Sequence, residues 1–406
     1  MRGVPTLARH LAPAVAAAAV LWFVLAALPA YRSYELATAG AYLVAVAGLT
    51  VLTGTSGQVS LGHGALVAIG AYTTALCVRA LTPATPTGTR INFDAPTGGG
   101  GLPAVPPAGL VGVLVVAVLV TAAIGAVVGA AAARLHGPYL AGATLSLAVA
   151  VPRLAIHFGR QLGGDQGLGL RLPPAPSWLG GLTTERWQAV ITLSAALLTL
   201  VLLANLLHSR TGRSMRAVRD DPVAAALAGI RVGRLKVLAF TVSAGCAGLA
   251  GGLFALLTQR VTPGAFELSL SLALLTAVVL GGLGRLSGAV LGALALVYLP
   301  AWTTDVTNSL ALSPGVAERL HGNLPLALYG VLVIAVMLAA PGGLAGLLDR
   351  LRRLVPVPGG RRGGGPADPP AATPGAPDTP GATAPAAVLP DTAPPTLSAP
   401  DPGGTR

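Results

Sequence analysis

Residues 54–76 read GTSGQVSLGHGALVAIGAYTTAL, an apolar stretch in which Gln58, Ser60 and His63 stand among Gly54, Gly57, Gly62, Gly64 and Gly70. Glycines at this density let a helix break, or let a second helix come close. A break at membrane depth frees backbone N–H and C=O groups, which are tolerated only beside a cavity or inside protein, where they can meet a polar solute. Two readings stay open on spacing alone. The segment lines a path for a polar solute, or it is small-residue helix packing with His63 as a satisfied interior histidine.

Other polar notches are weaker. GPYLAGATLSLAVA places Thr144 and Ser146 in a span bounded by Gly137-Pro138 and interrupted by Pro152, and such hydroxyls can simply bond back to their own helix. LGGDQGLGLRLPPAP, with Asp165 and Gln166, lacks phosphate-loop spacing and reads as a loop at the outer mouth. In the second half, Gly281, Gly282, Gly284, Gly288 and Gly292 interrupt another apolar stretch, and GLGRLSGAVLGAL echoes GQVSLGHGALVAI. Paired interrupted segments point to pseudo-symmetric bundles around a central path, although a chain rich in Gly and Leu also yields such echoes by chance.

The segment Thr211–Gly229 is different in kind: TGRSMRAVRDDPVAAALAG is polar at its start and helical in propensity beyond it. Pro222 after Asp220-Asp221 suits a first helical turn, with the acids at its positive end. Its alanines would let a soluble partner approach closely. The other reading is an amphipathic interfacial helix held by arginine at acidic headgroups.

Much chemistry is missing. No GxxxxGK[ST] loop occurs, so the chain has no P-loop route to ATP hydrolysis. Every acidic residue, from Glu35 and Asp94 to Glu267, Asp349 and the tail, falls in a loop, a span end or the tail, which disfavours proton or sodium coupling. No His/Asp/Glu or Cys/His cluster shares one level, so no catalytic residue, metal or cofactor is expected. Cys77 and Cys246 sit apart in apolar segments and read as packing residues.

These segments need a membrane around them. The chain is 53% hydrophobic and 10% charged with mean hydropathy +0.73, too apolar for a soluble core to cover. An all-α polytopic protein is expected, with about ten spans near 11–30, 36–53, 61–81, 108–133, 138–157, 188–207, 237–258, 268–283, 286–303 and 324–340. The first resembles a signal peptide, but Leu28-Pro29 spoils a cleavage context and an uncleaved span is expected. The net charge of +12 does not indicate nucleic acid, because the arginines gather at span ends and aromatics are few. Arg134, His136, the run from Arg210 to Lys236, Arg285 and Arg350–Arg353 fall on alternate connections, which puts both termini in the cytoplasm. The membrane domain covers 1–354, with its cytoplasmic loop at 208–236. Residues 355–406 are rich in Pro, Ala, Gly and Thr and are expected to be a disordered cytosolic tail.

From about Leu36 to Leu348 the chain resembles the LivM-type permease subunits of branched-chain amino acid ABC importers. The resemblance rests on SGQVSLGHGALVAIGAY, GPYLAGATLSLA, GGDQGLG, TGRSMRAVRDDPVAAALAGIRVGRLKVLAFTVSAGCAGLAGGLF, AVVLGGLGRLSGAVLGAL and APGGLAGLL, in order and spacing. It implies an ABC importer permease fold in the plasma membrane. The implied partners are a second permease of LivH type, two cytosolic ATPases that bind the ATP, and an extracytoplasmic solute-binding protein. It also makes Arg216, Arg219, Asp220, Ala224, Ala225 and Gly229 part of the loop that contacts the ATPase. Gln58, Ser60, Gly62, His63, Tyr72, Thr144 and Thr276 become the pathway candidates. Relatives often carry Asn where Asp221 stands and a larger residue near Ala65-Leu66. Similar motifs recur in urea and short-amide permeases, so those cargoes stay open, as does a facilitator that needs no ATPase.

If the Gly57–Gly64 break lines a path, Ser60→Cys reacts with a small polar thiol reagent in at least one transport state and is protected by substrate. Absence of reaction in every state would return the segment to plain packing.

Overall fold

The computed structural model describes residues 23, 25, 27–81, 107–135, 138–170, 182–309, 324–340 and 342–354. Most of the span expected at 11–30, and the tail from 355 onward, lie outside the described residues. The helices are α1 (Ala30–Leu49), α2 (His63–Leu81), α3 (Pro107–Ala132), α4 (Pro138–His157), α5 (Thr184–His208), α6 (Arg210–Asp220), α7 (Pro222–Leu227), α8 (Val232–Thr258), α9 (Leu268–Gly281), α10 (Leu286–Ser309), α11 (Leu324–Ala339) and α12 (Gly343–Leu354). Among the described residues, eight helices have the length and apolarity to cross a membrane. Counting Val333–Ala339 with Gly343–Arg350, joined across a 49° bend, raises this to nine. The chain is an all-α polytopic membrane protein.

Pro152 does not interrupt its span. It stands inside α4, which continues to His157; packed membrane helices tolerate proline because neighbours and side chains satisfy the freed carbonyls.

α8 is the hub, packed against α1, α2 and α3. Its sequence AGCAGLAGGL is the reason: without a hydrophobic drive between helices in lipid, association rests on close backbone approach by small residues. A side chain on Gly251 would strike the Val67 carbonyl and the Ala71 amide of α2, and one on Gly70 of α2 would strike the backbone of Gly248. Along α2, residues 70 and 74 face 248 and 252 of α8, so the two run parallel. α3 runs the opposite way, with Gly125 against Ala244 and Gly129 against Phe240. These directions bring Arg134 and the start of α8 to one end of the bundle.

That end also carries α6, α7 and Arg285, whose guanidinium pairs with Asp349 of α12. At the opposite end the loops are tied by a two-residue ladder, β1 (Leu168–Gly169) antiparallel to β2 (Arg260–Val261). Gln188 of α5 donates there to the Leu256 carbonyl at 3.1 Å.

Gly251→Leu should prevent α2 and α8 from closing, a loss of about 1–3 kcal/mol or more, visible as aggregation on size exclusion and a lower melting temperature in detergent. Gly142→Leu on α4, with no atom within 4 Å of the added carbon, should leave both unchanged.

Candidate functional site

The break after α1 has a local cause. Thr50, Thr53, Thr55 and Ser56 each donate a hydroxyl hydrogen to the carbonyl four residues back, at 2.6–2.7 Å. Such back-bonding competes with the amide ladder and bends helices, and here α1 widens into a π turn over Thr50–Thr55. Gly57 then turns the chain at φ 72°. Residues 58–62 run without helix until α2 starts at His63.

This segment is pinned from three sides. The Leu61 amide donates to Thr144 Oγ1 at 3.1 Å, and the Gly64 amide to Ser271 Oγ at 2.9 Å. Gln58 Nε2 donates to Ser56 Oγ at 2.9 Å and to the Lys236 carbonyl at 3.3 Å. Gly62 lies so close to the Thr144 backbone that a side chain there would overlap its carbonyl. Thr144 also bonds back to Leu140 and Ala141, so it serves as a staple with its hydrogen-bonding capacity in use. Ser146 is exposed and bonds to Gly142.

The same segment holds buried polar atoms without a hydrogen-bond partner: Gln58 Oε1, Ser60 Oγ, both ring nitrogens of His63, and the Tyr72 hydroxyl. Thr121 Oγ1 on α3 and Ser243 Oγ on α8 share this condition. Each such atom costs about 1–3 kcal/mol. The His63 ring is fully buried, and the Ala45 backbone of α1 faces it. Thr276 is half-buried on α9, and no bond of its own ties it to this group.

The second glycine-rich stretch breaks as well, between α9 and α10, with Gly282 at φ 116° and Gly284 at φ 81°. The two breaks touch: a side chain on Gly54 would overlap the backbone of Gly284. Gly343, before the body of α12, packs on Gly281 and Gly282 in the same way.

Into this junction α6 inserts one side chain. The Arg219 guanidinium donates from Nη1 to the Gly54 carbonyl, and the same nitrogen lies 3.4 Å from where a Cβ of Gly284 would stand. Its Cγ is 3.2 Å from the corresponding position at Gly57. A cation at a helix C-terminus complements its dipole, so Arg219 acts as a charged cap on the broken end of α1. Arg216, itself exposed, bends back to donate to the Leu207 carbonyl at 3.2 Å.

α6 is capped by Ser209, whose Oγ accepts from the Gly212 amide at 3.4 Å. Asp221 caps α7, accepting from the Val223 and Ala224 amides at 2.8 and 3.0 Å, with Pro222 in the first turn. The Ile230 amide returns to the Ala225 carbonyl at 3.0 Å and Gly229 adopts φ 80°, a glycine-terminated helix end. Of the coupling candidates, Arg216, Arg219, Asp220, Ala224 and Gly229 are exposed, whereas Ala225 is buried against its own chain. The outward face instead shows Val223 and Leu227, 68% and 85% exposed.

Sequence reasoning missed Val223 and Leu227; the signal was available, because a capped six-residue helix cannot bury all its apolar residues. Ser243 and Ser271 gave no signal, since single serines in apolar helices usually bond back. Among the described residues no three His, Cys, Asp or Glu side chains converge to hold a metal.

Comparison with known proteins accords with this geometry. The chain is 32% identical over 280 residues to the high-affinity branched-chain amino acid transport system permease protein LivM of Escherichia coli, covering 63% of this chain and 60% of that protein. It is 25% identical over 239 residues to a probable branched-chain amino acid transport permease protein LivM of Methanocaldococcus jannaschii, 58% of this chain and 68% of that one. It is also 35% identical over 220 residues to the autoinducer 2 import system permease protein LsrC of Enterobacter sp., 49% and 61% of the two chains. The matched region thus spans about three-fifths of the first of these relatives. No solved structure matches the chain. The family described as the branched-chain amino acid transport system permease component matches residues 31–341, and the chain belongs to that family.

Proposed function

We propose that this chain is a permease subunit of an ATP-driven importer that moves a branched-chain or related small amino acid into the cell. ATP is bound by separate ATPase subunits. The observation that carries this reading is the α6–α7 unit. It presents exposed Val223 and Leu227 on one side and plugs Arg219 into the meeting point of two broken segments on the other. An apolar knob on a short capped helix, set among basic residues, is suited to a groove on a soluble partner. With no phosphate loop in this chain, a partner that hydrolyses ATP supplies the energy.

The orientation supports the same reading. Arg134, Arg210–Lys236, Arg285 and Arg350 share the α6–α7 end of the bundle, whereas acids offset the arginines at the other, and excess basic residues mark the cytoplasmic side. The C-terminal end of the described chain, at Arg350 in α12, then lies on the cytoplasmic side, and α1 starts from the opposite one. A cytoplasmic N-terminus follows if the expected span at 11–30 crosses ahead of α1, as in a multi-pass protein of the plasma membrane. A second permease of LivH type and an extracytoplasmic solute-binding protein complete the assembly. The buried unpartnered atoms of Gln58, Ser60, His63 and Tyr72 are the groups that a passing solute would pair with when the breaks open. Urea or a short amide is the alternative cargo, and the contacts at the breaks alone do not favour one over the other.

The test is uptake of radiolabelled leucine into vesicles holding the complete set of subunits, compared with vesicles lacking the ATPases. Uptake confined to the complete set supports the reading; equal uptake without ATPases makes the chain a facilitator, and uptake of urea alone changes the cargo. Leu227→Asp should leave the protein in the membrane at wild-type level yet lower ATP-driven uptake at least about tenfold, as loss of a central apolar anchor does. Ala225→Glu is a poorer probe, because that site is buried and the substitution would displace α7 itself.

A further inference from the structure

A cavity of about 420 Å³ lies at the end of the bundle opposite α6 and α7. Its walls come from the first half of α1, the end of α8, the residues after β2 and the start of α9. Small-molecule pockets occupy about 300–1,000 Å³ and are largely apolar with a few placed polar groups. Here Tyr42 and Phe254 meet edge to face with ring centroids 4.7 Å apart, and Phe266 and Leu270 continue the apolar wall.

The polar groups divide by chemistry. Arg260, at the rim, can only donate. Thr38 already gives its hydroxyl hydrogen to the Tyr34 carbonyl at 3.0 Å, and Thr258 shares its own between the Phe254 and Arg260 carbonyls at 2.9 and 2.7 Å, so what they offer to the cavity is acceptor lone pairs. A donor-only cation with acceptor hydroxyls around an apolar wall complements a carboxylate, an ammonium group and a hydrocarbon side chain. Urea and short amides carry neither charge.

The cavity also leads somewhere. Leu270 on its wall precedes Ser271, which holds the Gly64 amide. One turn along α1 from Tyr42, Ala45 faces His63, and a turn further Gly48 meets the Ser243 carbonyl, 3.1 Å from the place of a Cβ. Beyond the cavity, α1 therefore passes His63 and the backbone of Ser243 on its way to the break.

We propose that this cavity binds the zwitterion of a small apolar amino acid, with Arg260 at its carboxylate, Thr38 and Thr258 at its ammonium, and Phe254, Phe266 and Leu270 around its side chain. The proposal rests on the amino acid import reading and adds a binding site to it within this chain.

The experiment uses the complete transporter carrying Thr262→Cys at the rim, with Cys77 and Cys246 replaced by Ala, and follows labelling by a water-soluble thiol reagent. Ala265→Cys, also on the cavity wall, is run in parallel. Leucine should slow labelling about tenfold or more, whereas leucinol, lacking the carboxylate, and isovalerate, lacking the ammonium, should protect far less. Adding Arg260→Gln should remove leucine protection, and Arg260→Lys should keep part of it. The proposal is overturned if neither cysteine reacts, if leucinol protects as well as leucine, or if Arg260→Gln leaves protection unchanged. Leucine uptake by the same vesicles separates the two levels: transport of leucine without protection rejects this site alone, while urea transport with protection by urea rejects the amino acid reading as well.

Discussion

The contact between Arg219 and the Gly54 carbonyl holds the rest of the arrangement in register. A helix that ends inside a membrane protein exposes carbonyls and the negative end of its dipole, and both demand a partner. α1 ends this way because its own hydroxyls compete for its ladder. The partner is a guanidinium delivered by a different element, one that stands outside the apolar layer. Gly54, Gly57 and Gly284 are glycines because that guanidinium and the facing backbone occupy the space where side chains would be. One cation thus joins the solvent-facing helices to two breaks that are distant in sequence.

Around this junction the structure divides into a stiff part and an adjustable part. The glycine face of α8 locks α2 and α3 by backbone contact, the kind of packing that does not slide without large overlap. The break at 58–62 is held by a handful of directed hydrogen bonds and leaves several buried polar atoms unpaired. Partly satisfied polar groups raise the free energy of the state that contains them, so a second arrangement in which they find partners lies closer in energy than a fully paired interior would allow. On the proposed function, ATP-driven motion of α6 and α7 selects between these arrangements through Arg219, and the solute moves between the outer cavity and the break.

The spans were legible because length and hydropathy are properties of single segments. The glycine clusters at Gly54–Gly64 and Gly281–Gly292 marked the two breaks, and the structure brings those breaks into contact through Gly54 and Gly284. What was not legible depends on direction. Arg219 and Ala225 both read as part of the partner-contacting loop; Arg219 is exposed and also donates to the Gly54 carbonyl, while Ala225 is buried, because α7 docks through it and leaves Val223 and Leu227 outside. Pro152 read as an interruption, but its neighbours sustain α4 through it. The cavity was invisible for a different reason: its wall comes from segments separated by some 200 positions, and no residue in it has a revealing local context.

The central claim is that Arg219 transmits motion from α6 to the breaks. It is tested most directly by measuring leucine uptake and ATP hydrolysis together in the complete transporter carrying Arg219→Ala. The account predicts that hydrolysis persists while uptake falls about tenfold or more, the loss expected for a charge-assisted hydrogen bond, with partial recovery in Arg219→Lys. Wild-type uptake per ATP hydrolysed in Arg219→Ala would contradict it.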